Sequence, residues 1–238
     1  MKRNDPFISA AAFLLTALLL VAASAIVSLI GTIKGEQDDV LTMAPIKKIV
    51  VIDAGHGGMD GGAVAQDGTL EKDINLSIAG ILKTLFEVSG YETVLTRESD
   101  EMLDTQETKG SAKMRDLKRR LEISSSYPDA ITVSIHCNKF PQSECKGMQV
   151  YYSDSDLAKS TASAVQSAFL ELDPSNHRQI KAADSSVYLL HRAKSPTILV
   201  ECGFLSNEDD LEKLKNENYQ KKLALVMLSG IDAAYIGA

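Results

Sequence analysis

Residues 48–62 read KIVVIDAGHGGMDGG, a β-branched apolar run that breaks abruptly into a glycine-rich turn. An apolar run without polar alternation is the pattern of a strand buried on both faces, as in the sheets of α/β proteins. The turn takes one imidazole, His56, straight off the strand end. Glycines around it let the backbone turn tightly and approach a ligand closely. It lacks GK[ST] and a clean GxGxxG spacing, and no helix opens directly after it, so a phosphate loop is a poor reading. A functional His56 and a tight turn with an incidental histidine both remain open.

Strand and helix signals alternate outward from this point. Thr69 can cap a helix whose buried stripe is Ile74, Ile78, Ile81, Leu82 and Leu85, ended by Gly90. Residues 91–96 (YETVLT) form a strand and residues 98–112 a polar loop. Met114, Leu117 and Leu121 mark the next helix. Residues 130–136 (AITVSIH) and 147–152 (GMQVYY) are strands; Ala158, Ala162, Val165 and Phe169 are a helical stripe. Residues 187–190 and 197–202 (TILVEC) read as strands. From Glu208 the chain is helical nearly to its end, with a break near Asn218 and Asn207 as its cap. The alternation predicts one α/β domain with a mostly parallel or mixed central sheet flanked by helices.

Functional groups in such folds gather at the C-terminal ends of strands. That rule selects residues 53–58, 136–138 and 201–204. His136 ends an apolar strand; alone it reads equally as a hydrogen-bonded core histidine. Glu201 interrupts an apolar strand, which is costly unless the group is paired or functional, and burial would raise its pKa toward the range useful for proton transfer. Glu71 lies three residues before Ile74, beside the buried stripe of its helix, where it serves either a cation or the helix dipole. Together these supply two histidines and a carboxylate for a metal, plus a second carboxylate of raised basicity. Two histidines and one carboxylate with an open position form a known catalytic zinc set.

The remaining chemistry-bearing residues carry less. His177 reads as solvated and His191 follows a strand without a clear role. Cys137 and Cys202 alternate away from the candidate residues toward the core, Cys145 lies in a polar loop, and Ser206 and Asn207 read as helix-capping groups. No GxSxG motif or activated cysteine points to a nucleophilic mechanism.

The net charge of −7 argues against nucleic acid as a partner. At the N-terminus, Lys2 and Arg3 precede an uncharged run of 27 residues, 7–33. That exceeds the roughly 7–15 residues of a signal-peptide core and suffices for a bilayer span of roughly 20. Residues 1–34 are read as an uncleaved membrane anchor in preference to a signal segment, residues 35–44 as a linker, and residues 45–238 as the catalytic domain, exported to the cell envelope.

The segments DAGHGGMDGGA, LEKDINL, VSIHCN and LVECGFLSN resemble those of the zinc-dependent N-acetylmuramoyl-L-alanine amidases, the amidase 3 family, and the similarity runs over residues 47–236. The resemblance implies that His56, Glu71 and His136 bind Zn2+ and that Glu201 is the catalytic carboxylate. Cys137 stands where the family more often has alanine. The substrate implied is peptidoglycan, cut between the muramoyl lactyl group and L-alanine. The short chain with its N-terminal anchor is similar to the spore-cortex, germination-specific amidases, where stem-peptide removal is linked to muramic-δ-lactam formation. The space between forespore and mother-cell membranes is then one location. Another envelope zinc peptidase or deacetylase, or a silent membrane-tethered wall-binding protein, would share part of this pattern. No regulatory protein partner is identifiable from the residues.

Overall fold

The computed structural model describes residues 48–103 and 111–236; the N-terminal apolar run and the linker lie outside these residues. Among the described residues no helix is long and apolar enough to cross a membrane. The chain runs β1 (Ile49–Ala54), α1 (Glu71–Val88), β2 (Glu92–Leu95), α2 (Ala112–Ser125), β3 (Ile131–Asn138), β4 (Gln149–Tyr152), α3 (Asp156–Leu172), β5 (Lys181–Ala182), α4 (Tyr188–Arg192), β6 (Thr197–Phe204), α5 (Glu208–Lys215) and α6 (Glu217–Ile236). The six strands form one sheet in the order β2-β1-β3-β6-β4-β5. β2, β1, β3 and β6 are mutually parallel, β4 runs antiparallel to β6, and β5 is parallel to β4. The sheet is therefore mixed, with its parallel half carrying the residues of interest.

Its two faces differ in chemistry. Register aligns Ile52 with Val133 and Val133 with Ile198, and aligns Ala54 with Ile135 and Ile135 with Val200. These point to one face and pack against Ile78, Leu82 and Phe86 of α1, Val165 and Phe169 of α3, and Leu223, Met227 and Ile231 of α6. Each such fully buried side chain contributes about 1.5–3 kcal/mol of transfer free energy, so this layer holds the fold together. The alternate residues Asp53, Thr132, Ser134 and Thr197 point the other way and are also buried.

That second face is covered by α2 and α4, and its polarity overturns the expected orientation of α2. Met114 is exposed, Leu117 and Leu121 are half-buried, and the buried stripe is Asp116, Arg120 and Ser124. A sheet face lined with hydroxyls and a carboxylate must be matched by hydrogen-bonding groups. Ser124 Oγ meets Thr132 Oγ1 at 2.8 Å and Ser195 Oγ at 2.9 Å.

Three local expectations also shift. Residues 187–190 are not a strand: Tyr188–Arg192 is a single helical turn that packs Leu189 and Leu190 on Leu199. A five-residue element is too short to display a period. Thr69 does not cap α1, whose N-cap is Leu70. The first helical N–H groups instead find the glycine loop, Glu71 N donating to Ala63 O at 2.9 Å and Lys72 N to Gly61 O at 3.2 Å. The last helix breaks at Asn216, two residues before Asn218, while Asn207 caps α5 as expected by accepting from Asp210 N.

Candidate active site

The docking of the glycine loop on the N-terminus of α1 brings the first candidate groups together. His56 has φ 61°, a left-handed conformation costly for a side-chain-bearing residue. It is held from two sides. Its carbonyl accepts from Arg120 Nη2 at 2.7 Å, and its Nδ1 lies 2.9 Å from Asp60 Oδ2. Asp60 is itself braced by Gly62 N at 3.2 Å and Lys113 Nζ at 3.4 Å. With Nδ1 engaged, Nε2 is presented to Glu71 Oε2 at 3.3 Å.

Glu71 opens α1 and is buried. Its Oε2 accepts from Ala63 N at 2.8 Å; its Oε1 accepts from Cys137 N at 3.0 Å and sits 2.9 Å from His136 Nδ1. Burial works against its charge, yet the hydrogen bonds and charges of His136 and His56 outweigh burial and hold the carboxyl well below the usual carboxylate range. His136 lies on β3 beside Gly55, which hydrogen-bonds to the same strand through Ile135 O. A Cβ on Gly55 would collide with Cε1 and Nε2 of the imidazole, so position 55 requires the absence of a side chain.

One ligand atom from each of His56, Glu71 and His136 falls within 4.8 Å of the others. Imidazole nitrogens and a carboxylate suit zinc. The donor set also has the outer support that metal histidines usually show: Asp60 fixes the ring of His56 through its other nitrogen.

Glu201 completes the cluster through sheet register. It faces His136 across the β3–β6 pair and Gln149 across the β6–β4 pair. Its Oε2 is buried and has no hydrogen-bond partner among the described residues. Burial, reinforced by the charge of Glu71 and opposed by His136, pushes its pKa up to about 7. An unpartnered buried carboxyl is costly, and here it lies beside the donor cluster, where a substrate or water could satisfy it.

Beneath the loop lies a buried ionic lattice that the sequence does not reveal. Arg120 donates to Asp53 Oδ1 at 2.6 Å, to Asp116 Oδ2 at 2.7 Å and to Ala54 O at 2.7 Å. Arg97 donates to the carbonyls of Ala54, Gly55 and Lys72 at 2.9, 3.1 and 2.8 Å. Despite burial, Arg120 and the hydroxyls of Ser134 and Thr96 hold Asp53 ionised. Asp116 and Arg120 stand four residues apart, the spacing of an ordinary surface ion pair, so nothing in the sequence marks them as interior. A cavity of about 220 Å³ opens beside His56 and His136, walled by Arg120, Ser134, Tyr188 and Leu199.

The other residues weighed in the sequence lie elsewhere. His177 and His191 are exposed, Cys137 and Cys202 are buried free thiols on the apolar face, and Cys145 is partly exposed. Ser206 Oγ accepts from Phe140 N at 3.1 Å.

Two histidines at C-terminal strand ends and a carboxylate opening the next helix form a donor set of the kind that metal-dependent hydrolases use. The N-acetylmuramoyl-L-alanine amidase family, amidase 3, matches residues 50–233. The germination-specific N-acetylmuramoyl-L-alanine amidase of Bacillus subtilis is 33% identical over 187 residues, covering 77% of this chain and 78% of the relative. The CwlD amidase of Clostridioides difficile, solved in complex with the GerS lipoprotein, is 39% identical with a TM-score of 0.77, covering 81% of this chain and 100% of that one. The amidase AmiC2 of Nostoc punctiforme is 31% identical with a TM-score of 0.69, covering 80% of this chain and 98% of that one. The chain belongs to the N-acetylmuramoyl-L-alanine amidase family.

Proposed function

We propose that the protein hydrolyses the amide between the lactyl group of N-acetylmuramic acid and L-alanine in peptidoglycan, with His56, Glu71 and His136 holding a zinc ion and Glu201 acting as the catalytic carboxylate. The observation that carries this reading is the unpartnered Oε2 of Glu201 beside a closed set of two imidazoles and one carboxylate. Zinc bound there would polarise the scissile carbonyl and make water nucleophilic near neutral pH.

The chain's own residues do the rest. Asp60 orients His56, and Glu71 is kept ionised by the two imidazoles that flank it. Glu201, buried on the strand beside His136, takes the proton of the attacking water and delivers it to the departing nitrogen of L-alanine. Arg97 and Arg120 hold the carbonyls of residues 54–56 so that the loop cannot turn His56 away.

The same proposal places residues 1–34 as a membrane anchor, residues 35–44 as a tether and residues 45–238 as an exported domain. Spore cortex is the proposed substrate, supported by the similarity to a germination-specific amidase and to CwlD. The similarity to CwlD also supports a lipoprotein partner for this chain.

The test is to load the purified protein with zinc, incubate it with peptidoglycan and identify products by mass spectrometry. About one zinc per chain and free peptides beginning at L-alanine are expected. Zinc with cleavage inside the peptide, or loss of acetyl groups, would assign a peptidase or deacetylase instead.

A further inference from the structure

Beyond Glu201, on the side of β6 away from β3, lie β4 and the loop before β5. Gln149 is the register neighbour of Glu201, and its Oε1 accepts from Arg178 Nη1 at 3.2 Å. Arg178 is fixed three more times. Its Nε donates to Lys146 O at 2.8 Å, its guanidinium lies 4.2 Å from the centroid of Phe204, and its backbone N donates to the buried Asn176 at 3.2 Å. A guanidinium so immobilised normally answers a carboxylate. Among the described residues no carboxylate oxygen lies within 4.0 Å of it, and Nη2 has no acceptor. This is a held, half-buried cation with no carboxylate in contact; its charge acts at longer range on Glu201, whose ionised form it favours.

Its position relative to the reaction gives it a use. Resting on the amidase reading, Glu201 delivers its proton to the nitrogen of the departing L-alanine, so the peptide leaves over Glu201 and away from the donor cluster. Adjacent strands stand about 4.8 Å apart, which puts the Gln149–Arg178 pair roughly one to two residues along that peptide. We propose that Arg178 binds a carboxylate carried by the residue that follows L-alanine in the leaving peptide, making the enzyme selective for an acidic over an amidated stem. Gln149 holds the guanidinium fork in place, and stacking on Phe204 fixes its plane.

The experiment uses two muramoyl-peptide substrates that differ only in a free carboxyl or a carboxamide on the residue after alanine. The zinc-loaded wild type should favour the free acid by about tenfold to a hundredfold in kcat/KM, the range of one charge-assisted hydrogen-bonded contact. Arg178→Gln should collapse that ratio toward one, and Arg178→Lys should retain part of it. A ratio near one in the wild type, or an unchanged ratio in Arg178→Gln, would overturn the proposal, as would an equal loss on both substrates, which would mark Arg178 as structural. If the wild type cleaves neither substrate, the amidase reading fails on its own. Calorimetric binding of the two peptides to Glu201→Gln and to the Glu201→Gln/Arg178→Gln double variant then decides Arg178 separately: loss of acid preference in the double variant supports it, and equal binding of both peptides to Glu201→Gln overturns it.

Discussion

Replacing Gly55 by alanine adds one carbon and two hydrogens to the molecule, and the structure says where the new methyl group goes. The new Cβ would meet Cε1 and Nε2 of His136 head-on and stand 2.8 Å from Cδ2, short of the 3.4 Å at which ordinary contact begins. Gly55 is not among the positive-φ residues, so alanine has no backbone penalty there and the effect is isolated to the collision. The ring has little freedom to yield, since its Nδ1 is engaged by Glu71 and its strand is locked between β1 and β6. A displacement on the order of 1 Å in a reacting group costs about a hundredfold in rate, and misplacing a metal ligand weakens the metal comparably. The expected result is roughly a hundredfold drop in kcat/KM with a parallel fall in zinc affinity, read by chelator competition, while circular dichroism keeps the wild-type spectrum. Gly55→Ala with wild-type zinc affinity and rate would refute the steric argument.

Other changes probe other parts of the same arrangement. Glu201→Gln should keep zinc and lose about 10²–10⁴ in kcat; an active, zinc-loaded variant would remove Glu201 from the reaction. In the metal-free protein the Glu201 carboxyl has a native pKa of about 7 against a reference of 4.5, so the native state binds that proton more tightly. The associated stability is present below about 4.5 and is lost as pH rises through about 7. Urea midpoints compared at pH 5 and pH 8 should fall more in the wild type than in Glu201→Gln, where the contribution of His136, whose pKa Glu71 raises, remains. Arg120→Met leaves Asp53 and Asp116 buried without their cation and should cost about 3–5 kcal/mol in urea unfolding; a loss below about 1 kcal/mol would mean that the lattice is dispensable. Gly80→Ala, in mid-α1 with open space at its Cβ, should instead stabilise by about 0.5–1 kcal/mol, seen as a small rise in Tm; a fall would show an unrecognised contact.

What could be read in advance follows from which forces leave a pattern. Strands β1, β3 and β6 are buried on both faces and announce themselves as apolar runs, and the groups that break those runs, His136 and Glu201, become register partners. Glu71 was legible because its offset from Ile74 put it beside a buried stripe. The second face was not legible. Its packing is made by Asp53, Asp116, Arg120, Ser124 and Thr132, residue types that the hydropathy pattern assigns to solvent. Their partners come from elements as far apart as residues 53 and 120, a matching that one sequence does not encode locally. The capping of α1 by the carbonyls of residues 61 and 63 is hidden for the same reason. Arg178 gave no signal either, because its meaning lies in contacts with Gln149, Lys146 and Phe204 that only the fold assembles.

His136 and Glu201 ride on paired central strands, whereas His56 sits on a strained loop pinned by arginine and aspartate. The two halves of the site therefore belong to different opening units. Amides of β3 and β6 should exchange with solvent deuterium only through global unfolding. Those of residues 56–63 should exchange through a smaller local opening that breaks the Arg120 and Asp60 contacts. Metal would then enter and leave by that local route, so loading could be gated by a few residues of chain without the sheet ever loosening.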